Sequence, residues 1–433
     1  MVILARLGLK PNRLTNIWVP FVAAAAATLV EGGRLALVLP AELLQVTYAA
    51  QLRSFLAGRF SRIDLVACNE LFFARAEQEV VLLLADGALR QPSARAAGPA
   101  PTVRSGRSAR TAPAVRAVSA APAVAPASPC RVALTAARTA AEVTARPPAS
   151  VLAGAVPKTI RHDEEKWLQY FLTAREIDLM RELRGAAAVT ALRTHATVDV
   201  GVVTGNNAFF VLSRRRVEDL ALEACAPPLV SRSAQLKGAR ITEEEWRALA
   251  AAGDRVHLLH LARNGAPLPP ALASYIREGE AGGIHRGYKC SIRSPWYAVP
   301  AVWVPDGFVF RQIHDFPRVV RNQAGATSTD TIHRLRCKAD PELVIASLYT
   351  HLTAASAEIE GRSYGGGVLE LEPTEAERLL VPARLAAALP LAECDRLVRA
   401  GMLGQALAES DRLILAGQLG LLPQPVQLPA RGE

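Results

Sequence analysis

The apolar positions of the chain change period repeatedly along its length, and the changes mark different kinds of element. Residues 16–30 carry an apolar, alanine-rich run that predicts a helix, capped by Thr15 or Asn16 and stopped by Gly32-Gly33. Leu35-Ala-Leu-Val-Leu follows, short and wholly apolar, the pattern of a strand buried on both faces in a parallel sheet. Pro40 ends it. A helix is then expected over 41–60, with strands over 63–67 and 79–85. From Asp86 to Glu142 no acidic residue intervenes, and the Ala, Pro, Ser, Arg, Val and Thr composition has no apolar period. Residues 90–155 therefore read as a disordered linker, unable to bury enough surface to offset ordering. A basic arm on DNA, an incidental spacer and a frame-shifted stretch of a GC-rich gene all give such a composition.

Globular patterning returns at Lys158. Residues 163–184 read as one helix with its acidic residues early and its arginines late, matching the helix dipole. Strands are expected over 198–203 and 209–212 around the Gly205-Asn-Asn turn, and a β-rich stretch over 296–310. Helices are expected over 243–252 and 343–360, with a helical tail from Ala383 that frays from Leu419.

Charge changes this picture little. The net charge is +10, and all but six of the 50 basic residues are arginine. Arginine suits phosphate and base-edge binding, and GC-rich coding bias gives the same excess. Six scattered cysteines form no Cys-x-x-Cys pair, which argues against a zinc site or a disulfide scaffold, and no metal ligands are assigned. The N-terminus has no signal-peptide layout, and the apolar stretch 17–30 is too short to span a bilayer. These points imply a cytoplasmic protein with no membrane partner.

Residues 16–86 resemble the end of the catalytic domain of TaqI-like adenine-specific DNA methyltransferases, entered after their catalytic tetrapeptide. The carriers are Asn16-Ile-Trp-Val-Pro-Phe-Val-Ala, Glu31-Gly-Gly-Arg-Leu-Ala-Leu-Val-Leu-Pro-Ala-Glu-Leu-Leu and Gln78-Glu-Val-Val-Leu-Leu-Leu-Ala. Four later blocks resemble the same family's target-recognition domain. They begin at Val198, Tyr288 (Tyr-Lys-Cys-Ser-Ile-Arg-Ser-Pro-Trp-Tyr), Asn322 (Asn-Gln-Ala-Gly-Ala-Thr-Ser-Thr) and Glu360.

The resemblance implies a partial α/β class I methyltransferase sheet over 1–89, the linker over 90–155, an α+β target-recognition domain over 156–390 and a helical tail over 391–433. It implies S-adenosylmethionine as methyl donor for the intact family and duplex DNA as partner. The family extrudes the adenine and holds it with an Asn/Asp-Pro-Pro-Tyr/Phe tetrapeptide. Neither that tetrapeptide nor a strand–glycine turn–helix cofactor grip occurs here: the Pro pairs at 147–148, 227–228 and 269–270 lack its flanking residues. The chain is thus expected to bind DNA but not the cofactor, as a truncated adenine-N6 methyltransferase. The alternatives are a specificity subunit serving a separate N-terminal catalytic half, and a non-functional gene remnant. Leu35–Leu39 would be the family's fifth strand, with one edge lacking a partner.

Phe73 matches the family's base-stacking aromatic best, although Ala74-Arg75 replaces the usual Pro-Gly. Its alternative is core packing. For base edges and phosphates the candidates are Thr204, Asn206 and Asn207 in the glycine-flanked turn, and Lys289 and Arg293 among aromatics. Arg321 and Asn322 precede a Thr-Ser-Thr loop suited to phosphate, and Arg362, Ser363 and Tyr364 precede three glycines. Asn206 reads first as an ordinary turn residue, Trp296 as core and His333 as a structural hydrogen-bond partner.

Overall fold

The structure is a computed structural model. It describes residues 2–11, 15–68, 79–90, 130–145, 147–153, 155–162, 164–261, 268–364, 368–385 and 389–416. The chain divides into two units, Met1–Ala174 and Arg175–Glu433. Among the described residues no helix is long and apolar enough to cross a membrane, and no three His, Cys, Asp or Glu side chains gather as a metal site.

The first unit is built on a four-stranded sheet. Its strands are β1 (Leu35–Pro40), β2 (Phe60–Cys68), β3 (Val80–Ala88) and β4 (Arg131–Ala137), in the order β1-β3-β2-β4. β3 runs antiparallel to both neighbours, with Leu37 opposite Leu83 and Leu65 opposite the same residue. The parallel sheet expected from the apolar runs is therefore confined to the β2–β4 pair. The reason is length: the 11 residues between β2 and β3 fall short of a helical crossover, so the chain reverses.

β2 buries four consecutive residues, Ile63 to Val66, on both faces. β1 does not: Ala36 and Val38 are exposed, and β1 pairs along one edge only among the described residues. The helix Trp18–Thr28 buries Val19, Val22, Ala23 and Ala26, one stripe at helical spacing.

Two arginines brace this unit. Arg59 donates to the carbonyls of Ala26 (3.2 Å) and Leu29 (2.6 Å), the open C-terminal end of that helix. Arg53 is buried and donates to Leu43 O and Val46 O; desolvation lowers its pKa to about 10.

Several elements differ from expectation. The helix expected over 41–60 breaks into Glu42–Gln45 and Ala50–Arg59, because Val46 adopts an extended conformation before Thr47. The expected linker contains β4 and the short helices Ala140–Ala145 and Pro148–Leu152. β4 covers the outer edge of β2 and buries Val132 and Ala133, neighbours on opposite faces, so its sequence shows no alternation. Residues 91–129 lie outside the described residues.

The second unit centres on a five-stranded sheet. In spatial order its strands are Ala196–Asp199, Ile332–Cys337, Gly307–Phe310, Val319–Gln323 and Arg240–Thr242. All neighbours are antiparallel except the last pair. Val198, Val309, Val319 and Leu335 face a large core with Val344, Ile345, Leu348 and Leu397. Phe308, Val320 and Ile332 face a smaller core with Val230, Leu236 and Ile241. A third core surrounds the helix Pro270–Ala281 and includes Phe209, Phe210, Leu258 and Tyr275.

The expected helix over 343–360 is two helices, Pro341–Ser347 and His351–Glu360. Thr350 is extended between them, and its hydroxyl caps Thr353 N at 3.1 Å. The helix expected from 163 starts late, at Ala174, after a short tight turn of helix over Trp167–Phe171. The β-rich stretch over 296–310 contains a strand only at Gly307–Phe310, since Pro300 and Pro305 interrupt the rest.

The expected tail is integral to the unit. Leu391, Cys394, Leu397, Ala406 and Leu407, from the helices Leu391–Arg399 and Leu403–Asp411, lie in the large core. Asp395 fastens this segment: its buried carboxylate accepts from Ala239 N (2.8 Å), Arg240 N (3.2 Å) and Arg399 Nε (2.8 Å).

Candidate nucleic-acid interface

The turn at Gly205 begins where an extended segment leaves the sheet, with Val202 N donating to Ser328 O at 2.7 Å. Gly205 has φ +84°. The Thr204 hydroxyl donates to Asn207 Oδ1 (2.6 Å) and accepts from Asn206 N (3.2 Å). Asn206 Oδ1 accepts from Phe209 N (3.0 Å), capping the short helix Asn207–Phe210. That helix replaces the start of the expected strand over 209–212, whose remainder is Val211–Ser213. Arg255 closes its far end by donating to Asn207 O (2.6 Å) and Ala208 O (2.7 Å).

A second segment is pressed against this turn. Gly283, in the left-handed region, leads through Gly287 into the helical turn Tyr288–Ser291. Arg293 donates to Thr204 O (2.8 Å) and Val203 O (2.6 Å), and the Cys290 thiol lies 3.9 Å from Thr204 O. A Cβ placed on Gly205 would sit 2.9 Å from Lys289 Cβ and 3.2 Å from Cys290 Sγ. Two sequence blocks more than 80 residues apart thus form one structure. Beneath it lies an aromatic wall: Phe209 stacks on Tyr275 at 4.5 Å and packs against Trp296 at 5.3 Å. Trp296 donates to Glu280 Oε1 (3.1 Å), which gives it a packing role.

The candidates therefore divide. Thr204, Asn206 and Arg293 build the turn, while Asn207 and Lys289 are exposed on it. Arg321 and Asn322 turn inward, contrary to expectation. Arg321 donates to Asp306 O (2.6 Å) and Asn322 O (2.7 Å). Asn322 is buried and donates to Pro305 O and Ala326 O, both at 2.8 Å. The Thr-Ser-Thr loop is buried as well, and Thr327-Ser328 pair with Leu229-Val230. Its hydroxyls at Ser328 and Thr329 donate to Ile332 O and Ser231 O, both at 2.9 Å. These hydroxyls are thus spent on backbone carbonyls, while Gln323, Gly325 and Thr331 are exposed beside them.

Arg362 pairs with the fully buried Glu375 carboxylate at 2.9 Å, and Ser363 sits in a strand opposite Leu369. The Tyr364 side chain, residues 365–367 and Phe73 lie outside the described residues. His333 is buried with Nε2 2.7 Å from Leu371 O, and desolvation lowers its pKa. Arg255 and Asp395 had no local signal: each acts on backbone groups distant in sequence.

A family model described as the C-terminal domain of type II methyltransferase M.Eco57I matches residues 164–415. The chain belongs to this family. A relative within type II methyltransferases is M.AccI of Acinetobacter calcoaceticus, 25% identical over 224 residues. That match covers 49% of this chain and 39% of M.AccI, so the chain spans well under half of the relative's length. Among solved structures, the type IIL restriction-modification enzyme MmeI in complex with DNA shares the fold at a TM-score of 0.54 and 9% identity. The likeness covers 98% of this chain and 52% of that one.

The family implies S-adenosylmethionine, and the described residues do not fit it. β1 passes through Pro40-Ala41 into a helix with no glycine at the turn; Gly32-Gly33 precede the strand. A cleft of the first unit, about 690 Å³, has Arg131, Lys158, Arg161 and His162 in its lining and no carboxylate among its described lining residues. A cationic sulfonium and a ribose favour the opposite charge.

Proposed function

We propose that the second unit is the target-recognition domain of an S-adenosylmethionine-dependent adenine-N6 DNA methyltransferase of a restriction-modification system. We infer that the chain binds duplex DNA through the Gly205 turn and the 288–293 segment. The observation that carries this is the convergence of two family-like blocks into one rigid, exposed, cation-bearing structure, inside the stretch that matches the family model. The fold likeness to an enzyme solved in complex with DNA supports the same reading. Methyl transfer, in this reading, needs the glycine-rich turn and the Asn-Pro-Pro-Tyr-like tetrapeptide from further polypeptide. The first unit, whose β1 pairs along one edge only among the described residues, is the part of the catalytic sheet that would receive it.

The test has two arms. Binding to duplex DNA is measured at low and moderate salt, where affinity should fall steeply as salt rises. Methyl transfer from labelled S-adenosylmethionine is then measured with the chain alone and with a supplied catalytic half. The expected result is binding by the chain and methylation only with the addition. Absence of binding at low salt overturns the recognition role, and methylation by the chain alone overturns the division of labour.

A further inference from the structure

Among the described residues, the two most exposed large apolar side chains of the second unit are Tyr288 (73%) and Ile292 (65%). They stand four positions apart, at the first residue and at the C-cap of one short helical turn. Monomeric surfaces expose single apolar residues freely, but an aromatic and an aliphatic together on a braced support are a different matter. The support is fixed from below. Cys290, between them, is fully buried, Gly205 leaves no room for movement toward the turn, and Arg293 ties the segment to two backbone carbonyls.

The surroundings are cationic. Lys289 and Arg286 are exposed, and the Lys289 ammonium lies 5.6 Å from the centre of the Tyr288 ring. The acidic Glu280 accepts from the Trp296 indole. Asn207 is exposed on the adjoining turn with its amide oriented by the Thr204 hydroxyl. Apolar tips ringed by cations and an amide suit a polyanion whose interior is aromatic.

Resting on the recognition-domain reading above, we propose that Tyr288 and Ile292 form a wedge that enters a groove of duplex DNA and contacts a base step. Lys289 and Arg286 hold the flanking phosphates. An inserted apolar side chain unstacks bases locally, and its contribution depends on how easily that step deforms. The wedge therefore supplies sequence preference, and the cations supply affinity without preference.

The experiment uses the full chain and a pool of random-sequence duplexes. Binding is followed by fluorescence anisotropy across a salt series, and the bound fraction is sequenced. Thermal unfolding of each variant is recorded alongside, and midpoints should not move because both side chains are exposed. For Tyr288→Ala the expectation is about ten-fold weaker binding, the size of a lost base-stacking contact. Its salt slope should be unchanged, and the enriched sequence should relax at one base step. Tyr288→Phe should retain wild-type behaviour. Lys289→Gln should lower the salt slope by about one and keep the enriched sequence. Wild-type affinity and sequence preference in both Tyr288→Ala and Ile292→Ala overturn the wedge while leaving the DNA-binding reading intact. A reduced salt slope in Tyr288→Ala with an unaltered sequence preference also overturns it. If the unaltered chain binds no duplex at low salt, the recognition reading fails first, and the wedge with it.

Discussion

The turns at Gly205 and Gly325 are close in residue type and opposite in use. Each has a glycine at positive φ, +84° and +63°, and each is surrounded by threonine, asparagine and arginine. At Gly205 the polar side chains tie the backbone from within and leave Asn207 and Lys289 outside. At Gly325 the corresponding groups all turn inward: the Asn322 amide fills the turn, and Thr327, Ser328 and Thr329 lie in the sheet interior. Residue type gives a loop its hydrogen-bonding capacity. Which side the core lies on decides whether that capacity meets solvent or backbone.

The strongest way to break the comparison is Asn322→Ala. Asn322 donates twice and lies near Ala324 N and Ala326 N as acceptor, at 3.3 Å and 3.4 Å. Its loss strands buried carbonyls and should cost about 3 kcal/mol. Chemical denaturation measures this, and DNA binding should be lost only with the fold. A binding defect in a fully stable Asn322→Ala protein would place the loop at the DNA after all.

Alanine at the two glycines sharpens the contrast. At Gly325 nothing lies within 4 Å of a new Cβ, so Gly325→Ala should cost only the left-handed conformation, about 1 kcal/mol. Gly205→Ala adds the clash with Lys289 and Cys290, and should cost about 2 kcal/mol or more in unfolding experiments. It should also weaken DNA binding at temperatures where the protein remains folded, because the 288–293 segment must shift. Equal costs at the two positions would deny that the Gly205 turn is braced. Asn206→Ala removes one helix cap and should cost about 1 kcal/mol or less.

The smallest expected effect is on pH dependence. His333 follows the Gly325 turn on the central sheet, and burial lowers its pKa. The unfolded chain then takes up a proton that the folded chain resists. This contribution to stability is complete above about pH 6.5 and is lost as pH falls through that value. His333→Gln should flatten the fall in thermal midpoint below that pH, and an unchanged profile would remove His333 as its source.

Much of the fold was legible where local chemistry decided the outcome. The helix at Glu243–Ala251 is set by a capping box of Thr242 and Glu245, written in adjacent residues. β4 was illegible because a short strand buried on both faces carries no alternation, and its composition matched the low-complexity stretch before it. The Thr204–Asn207 and Lys289–Arg293 candidates do come together, whereas nothing local in Arg321 or Arg362 betrays that their partners are Asp306 O and Glu375. Arginine excess was uninformative for the same reason. Arg53, Arg59, Arg255, Arg293, Arg318 and Arg334 all donate to backbone carbonyls, a use that net charge does not register.

Asp395 carries a consequence for the order in which the chain acquires shape. The strand Arg240–Thr242 is made early in synthesis, yet the carboxylate that receives the amides at its start emerges some 155 residues later. Until it does, that margin of the sheet and the apolar surface awaiting Leu397 and Leu407 stand open to the ribosome-bound nascent chain's neighbours. A ribosome stalled shortly before this segment would hold an aggregation-prone intermediate, and release of a few dozen further residues would let it close.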